Sequence, residues 1–204
     1  MSFLVHSLGF LELQCNRPAD ALSVFTDGIN RYPNNSHILL GAALTEAKLG
    51  EIDRARDLFR RAVKADRRHA HAWQAWGVME AKDKQWATAR TLYEQGLKEC
   101  PDHGALWQAY GMLEVMAEQY DRARLLFQMG LEKCGRTNVQ LLQAFACLEV
   151  RTGNLDEAQG LIGEVRTCLR ACVSMNPAAA QLLPSLLVDS SALSLSLSGR
   201  FAIA

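Results

Sequence analysis

The first thing this chain lacks is an excess of charge. Its 204 residues carry 22 lysines and arginines against 22 aspartates and glutamates. No field of one sign therefore gathers nucleic acid or a membrane surface from a distance. Proline is scarce, at five residues, and no segment alternates polar and apolar residues with the period of a strand. The six cysteines form no CxxC pair and no disulfide framework. They read as reduced, buried small hydrophobes of an intracellular compartment. Cys168 and Cys172 stand one helical turn apart, but no histidine lies near them in sequence, so they make no metal site. GxxxxGK, HExxH and GxSxG are all missing, which excludes three common ways of handling phosphate, zinc and acyl groups. The reading is of a chain that is not an enzyme, with no catalytic, cofactor-binding or metal-binding residues. No apolar run is long and clean enough for a membrane span.

Repetition is what the chain has instead. Residues 73–82 read WQAWGVMEAK and residues 107–116 read WQAYGMLEVM, 34 positions apart. The same shift aligns Ala21, Ala55, Ala89 and Ala123, then Phe25, Phe59, Tyr93 and Phe127, then Gly28, Ala62, Gly96 and Gly130. Glu12, Glu46, Glu80 and Glu114 form a further column, and one extra residue in the loop CGRTN brings Glu149 and Ala158 into register. Periodic self-similarity of this length marks a repeat architecture. Within each copy, large apolar residues recur at spacings of three and four on either side of a break, which gives two helices per copy. Pro33 and Pro101 fall where second helices must stop. The fold class is all-α, a solenoid of about five antiparallel helix pairs, with copies near 2–35, 36–69, 70–103, 104–137 and 138–172. Residues 173–204 hold only two charged residues and no repeat columns, and read as a low-complexity, poorly ordered tail. A weakly helical cap over 173–187 is the alternative.

Mirror symmetry about each turn makes definite contacts expected. Gly77 and Ala89 are equidistant from the turn near Asp83, so they should face each other and let the helices approach. Trp73, Trp76, Tyr93, Trp107 and Tyr110 should interlock in one continuous core, because a lone helix pair cannot bury its apolar face. Glu80 with Arg90 and Glu114 with Arg124 also straddle their turns and should pair across the hairpin, in a structural role. Copy one has Leu22 in the arginine column and copy five has Gln159.

Small, Phe/Tyr and Pro columns at this period resemble tetratricopeptide (TPR) repeats. The Trp-x-x-Trp/Tyr-x-x-x-Glu first helix and the Ala-Arg-x-x-Phe/Tyr second helix resemble the half-a-tetratricopeptide (HAT) variant, found mostly in RNA-processing factors. Residues 69–114 are similar to the chloroplast HAT proteins that protect photosystem II messenger RNAs. The likeness spans roughly residues 3–166. It implies a right-handed superhelix, a non-catalytic role in RNA processing, mRNA stabilisation or translation activation, and a chloroplast location, with the nucleus otherwise. No transit peptide is visible, so a fragment or partial gene model is expected.

On that reading the partner is single-stranded RNA, a messenger 5′ region, held along a groove by His37, Lys48, His71, Gln74, Lys82 and Gln108. A basic stripe of Arg56, Arg60 and Lys64 along one helix face is the alternative surface. The other functional reading is a protein–protein interaction scaffold, binding an amphipathic helix in the groove. Self-association through unfinished solenoid ends is a further expectation.

Overall fold

The computed structural model describes residues 2–175. They form five helix pairs: α1 (Ser2–Gln14) with α2 (Pro18–Arg31), α3 (Ser36–Leu49) with α4 (Ile52–Ala65), α5 (Ala70–Lys82) with α6 (Trp86–Glu99), α7 (Gly104–Met116) with α8 (Tyr120–Cys134), and α9 (Val139–Thr152) with α10 (Leu155–Met175). No strand occurs among the described residues. The first helices start at Ser2, Ser36, Ala70, Gly104 and Val139. α10 continues to Met175, past the expected boundary at 172, and the rest of the tail lies outside the described residues.

Helix ends follow from local chemistry. Asn35 caps α3 by accepting from the His37 and Ile38 amides, and Asn138 caps α9 by accepting from Leu141. Every intra-copy turn passes through one left-handed residue: Asn16, Gly50, Lys84, Glu118 and Gly153. Each turn then returns an amide to the carbonyl of the glutamate column. Arg17 donates to Glu12, Glu51 to Glu46, Gln85 to Glu80, Gln119 to Glu114 and Asn154 to Glu149. The turn is thus one device used five times, although glycine supplies it only twice.

Trp73, Tyr93, Trp107 and Tyr110 lie in one core running through copies two to five, with Trp76 half-buried against it. At Gly77 the space left by the missing side chain is taken by the ring four residues beyond Ala89. A Cβ on Gly77 would meet the Tyr93 ring at 2.5 Å, and one on Gly111 would meet Phe127 at 2.4 Å. Small residues in the first helices make room for the ring of the second helix, which is why the Phe/Tyr column is sealed.

The carboxylate pairing is corrected. Arg90 does not reach Glu80, nor Arg124 Glu114. Arg56 grips Glu80 through Nε at 2.9 Å and Nη2 at 2.8 Å, Arg90 grips Glu114, and Arg124 grips Glu149. Each pair joins the second helix of one copy to the first helix of the next. The alanine before each arginine faces into the hairpin, so the arginine, one residue and about 100° further round, points to the following copy. Glu80, Glu114 and Glu149 are at most 1% exposed. Their forked arginines hold successive copies at fixed angles.

Copy one breaks the ladder. With Leu22 in the arginine column, Glu46 is left buried, and its Oε2 accepts no hydrogen bond. Leu22→Arg should seat a guanidinium there and raise stability by about 1 kcal/mol, the low end of what an unpartnered buried acceptor costs. Urea unfolding of the two proteins measures it, and an unchanged or lower midpoint would show that position 22 cannot deliver its side chain to Glu46.

Candidate functional site: a groove over copies one to three

First helices line one wide concavity. α1 supplies His6, Phe10 and Leu13, α3 supplies His37, Leu40, Leu44 and Lys48, and α5 supplies His71, Gln74, Val78 and Lys82. These positions recur at three and four residues, so on each helix they form one stripe. The enclosed volume is about 1050 Å³, enough for several side chains of a bound segment. Its walls are mostly apolar.

Polar groups bracket that apolar floor. Lys48 and Lys82 stand in the last turns of α3 and α5, and Lys48 Nζ also donates to the Leu13 carbonyl at 3.4 Å. At the opposite end, all five histidines of the chain form one continuous row. His6 meets His37, His37 meets His69 at 4.3 Å between ring centres, His69 meets His71, and His71 meets His103 at 5.1 Å. His69 and His103 occupy the cap column that holds Asn35 and Asn138 elsewhere, but their side chains cap nothing. His69 Nδ1 instead shares a hydrogen bond with Ser36 Oγ. Burial, and then the neighbouring His37, push His69 down to about 4. Burial also lowers His6 and His103. Burial thus disfavours the charged form of three of the five rings, and the charged side chains of the other end are Lys48, Lys82 and Asp83.

Of the residues expected in the groove, His37, Lys48, His71, Gln74 and Lys82 line it, and Gln108 does not. A 34-residue period cannot say how many copies one concavity spans, because the angles between copies decide that. Leu13 and Ala47, together with Ile52 and Phe59 from α4, also line the cavity, and periodic reading missed them. The Phe10–Leu13 spacing of three was the available signal for the first of these.

The basic stripe has a different fate. Arg56 is occupied by Glu80, Asp83 and Asp53, and Arg60 by Asp57. Lys64 alone of the three lacks a carboxylate partner among the described residues. Two of the three charges are already engaged within the protein. The cysteines are likewise less uniform than expected: Cys100 is buried, Cys134, Cys147 and Cys168 are half-buried, and Cys15 is exposed, because Cys15 falls in a turn rather than on a packed stripe. Among the described residues no group of His, Cys, Asp and Glu could hold a metal ion, and no helix is long and apolar enough to cross a membrane.

Comparison with known proteins extends the geometry. A tetratricopeptide repeat model matches residues 13–76, and a second one matches residues 70–113. No curated protein matches in sequence. Among solved structures, the chain is similar to pilF of Pseudomonas aeruginosa at 14% identity, covering 100% of this chain and 93% of that one with a TM-score of 0.68. It is similar to a thermophilic TPR protein of Thermus thermophilus at 17% identity, over 92% and 100% of the two chains, with a TM-score of 0.60. MamA of Desulfovibrio magneticus matches at 19% identity over 83% and 96%, also with a TM-score of 0.60. At such identities the likeness is one of fold. Repeat models over residues 13–113 and a shared solenoid architecture support a helical repeat protein of the tetratricopeptide type.

Proposed function

We propose that the chain is a non-catalytic protein–protein interaction scaffold whose groove over copies one to three holds an amphipathic helix of a partner. One observation carries this reading: a cavity of about 1050 Å³ with an apolar floor and two lysines at one end, where the neighbouring Asp83 is engaged by Arg56. A helix laid there buries its apolar stripe against Leu40, Leu44 and Val78, and acidic residues at one of its ends meet Lys48 and Lys82. The tetratricopeptide repeats support a protein ligand. The RNA reading has less to stand on, since Arg56 and Arg60 are paired internally and the groove offers few cations for phosphates.

Panning the chain against a displayed library of helical peptides tests the proposal. Enriched sequences should combine apolar residues at helical spacing with Asp or Glu toward one end. Lys48→Glu together with Lys82→Glu should weaken the best of them about tenfold or more, as reversal of paired charges does. If no peptide is enriched, while single-stranded RNA binds with an affinity that falls steeply with salt, the groove is not a protein site.

A further inference from the structure

Four of the histidines bridge copies two to four. His37 lies in the first turn of α3, His69 precedes α5, His71 lies in its first turn, and His103 precedes α7. Successive ring centres are 4.3, 6.2 and 5.1 Å apart, so the imidazoles join the starts of three stacked first helices. Two repeat columns interleave to make the row. Positions 35, 69, 103 and 138 read Asn, His, His and Asn, and positions 37, 71, 105 and 140 read His, His, Ala and Gln. The backbone at the four positions of the first column is alike, with φ of −85°, −76°, −88° and −75°. Its asparagines cap their helices and its histidines do not. Copies three and four therefore hold a titratable ring where a capping asparagine fits the same backbone.

Little around the row compensates a proton. His69 is 7% exposed, and its Nδ1 is engaged by Ser36 Oγ. A neutral ring keeps one acceptor nitrogen, whereas a protonated ring can only donate. Around His69, the rings of His37, His71 and His6 oppose a positive charge, and Asp66 favours one. At His103, His71 opposes it and Asp102 favours it. The neighbouring Cys100 thiol is pushed up by burial and so stays neutral, and Arg68 beside it adds positive charge. Lys48 and Lys82 stand at the far ends of α3 and α5. At 1.5 Å per residue they are about 15–20 Å from the row, beyond the reach of a screened charge.

We propose that the row of His37, His69, His71 and His103 is a pH-sensitive latch, whose neutral rings hold the starts of α3, α5 and α7 together and whose protonation between pH 7 and pH 5 loosens copies two to four. His37, His69 and His71 also line the groove, so the latch acts on one of its walls, but it does not depend on what the groove holds. The direction follows from linkage. Burial, then His37, holds His69 at about 4, and burial, then His71, lowers His103. The unfolded chain takes up these protons near the ordinary value of 6.5. Their stabilising contribution is therefore complete above pH 6.5 and is lost as the pH falls from there toward the folded value. Glu80 and Glu149 are held below 4.5, so their contributions are lost in a separate, more acidic range.

Urea unfolding of the wild-type chain and of His69→Asn, in steps from pH 7.5 to pH 5, reads the latch. The variant carries the residue that copies two and five use in this column. His69 alone should raise the unfolding constant about sevenfold from pH 6 to pH 5, and His69→Asn should remove that factor. Hydrogen exchange locates the effect. Between pH 7.5 and pH 5.5, corrected for the intrinsic rate, protection in α3 and α5 should fall by a larger factor than in α9. His71→Gln, an exposed change to the residue of copy five, should narrow that gap, and it decides the matter should His69→Asn fail to fold. The same pH dependence in wild type and variants, or protection lost first in α9, would overturn the inference.

Discussion

Replacing Arg56 by alanine is expected to cost about 3–5 kcal/mol at neutral pH, because it strands a charge inside the protein. Glu80 is 1% exposed. Without the guanidinium, its carboxylate keeps only the Trp76 indole N–H, at 3.0 Å. Burial pushes the Glu80 carboxyl up, and the hydrogen bonds from Arg56 and Trp76 outweigh that and hold it below its ordinary value of 4.5. A depressed carboxylate contributes stability above its unfolded pKa and loses it as the pH falls through the folded one. The wild-type chain therefore loses this contribution below about pH 4.5. In the variant, burial dominates, the carboxyl rises and takes up a proton, and acidification costs less. Urea unfolding at pH 7 and pH 4 should show a large difference between the two proteins at the first and a small one at the second. An equal difference at both would mean that Arg56 acts through its aliphatic stem and not its charge. Arg56→Met combined with Glu80→Leu should cost less than Arg56→Ala alone, since no charge is then left buried.

Phe127→Ala should cost a similar amount, about 3–5 kcal/mol, by emptying a sealed ring site. The ring lies between Gly111 of its own copy and Phe145 of the next, whose ring centre is 5.8 Å away. A Cβ on Gly111 would come within 2.4 Å of the ring. Gly111→Ala should thus destabilise the wild type by about 1–3 kcal/mol through overpacking, although alanine is the better helix former by about 1 kcal/mol. In the Phe127→Ala background the obstruction is gone, and the same change should become stabilising. A thermodynamic cycle of the four proteins reads the sign directly. If Gly111→Ala destabilises equally with and without the ring, the glycine column exists for some reason other than the Phe/Tyr column.

The repeat period, the helix pairs and the buried columns were legible in the residues. Such features depend on neighbours three, four or 34 positions apart, and linear spacing records those directly. The groove stripes could be placed for the same reason, at His37, Lys48, His71, Gln74 and Lys82. Partners across an interface could not. Mirror symmetry about a turn put Glu80 with Arg90, but a side chain one residue beyond the buried alanine points out of its hairpin, so Arg90 belongs to Glu114 and Arg56 to Glu80. The same blindness missed the Tyr93 ring that packs on Gly77. It also hid the meeting of the five histidines, which come from different columns and three different kinds of position: a mid-helix residue of α1, two helix starts and two caps. Sequence determined which residues form each unit, because a helix is a local object. The tertiary structure decided what each unit touches, because the angle between copies is set by packing and forked ion pairs that no spacing along the chain encodes.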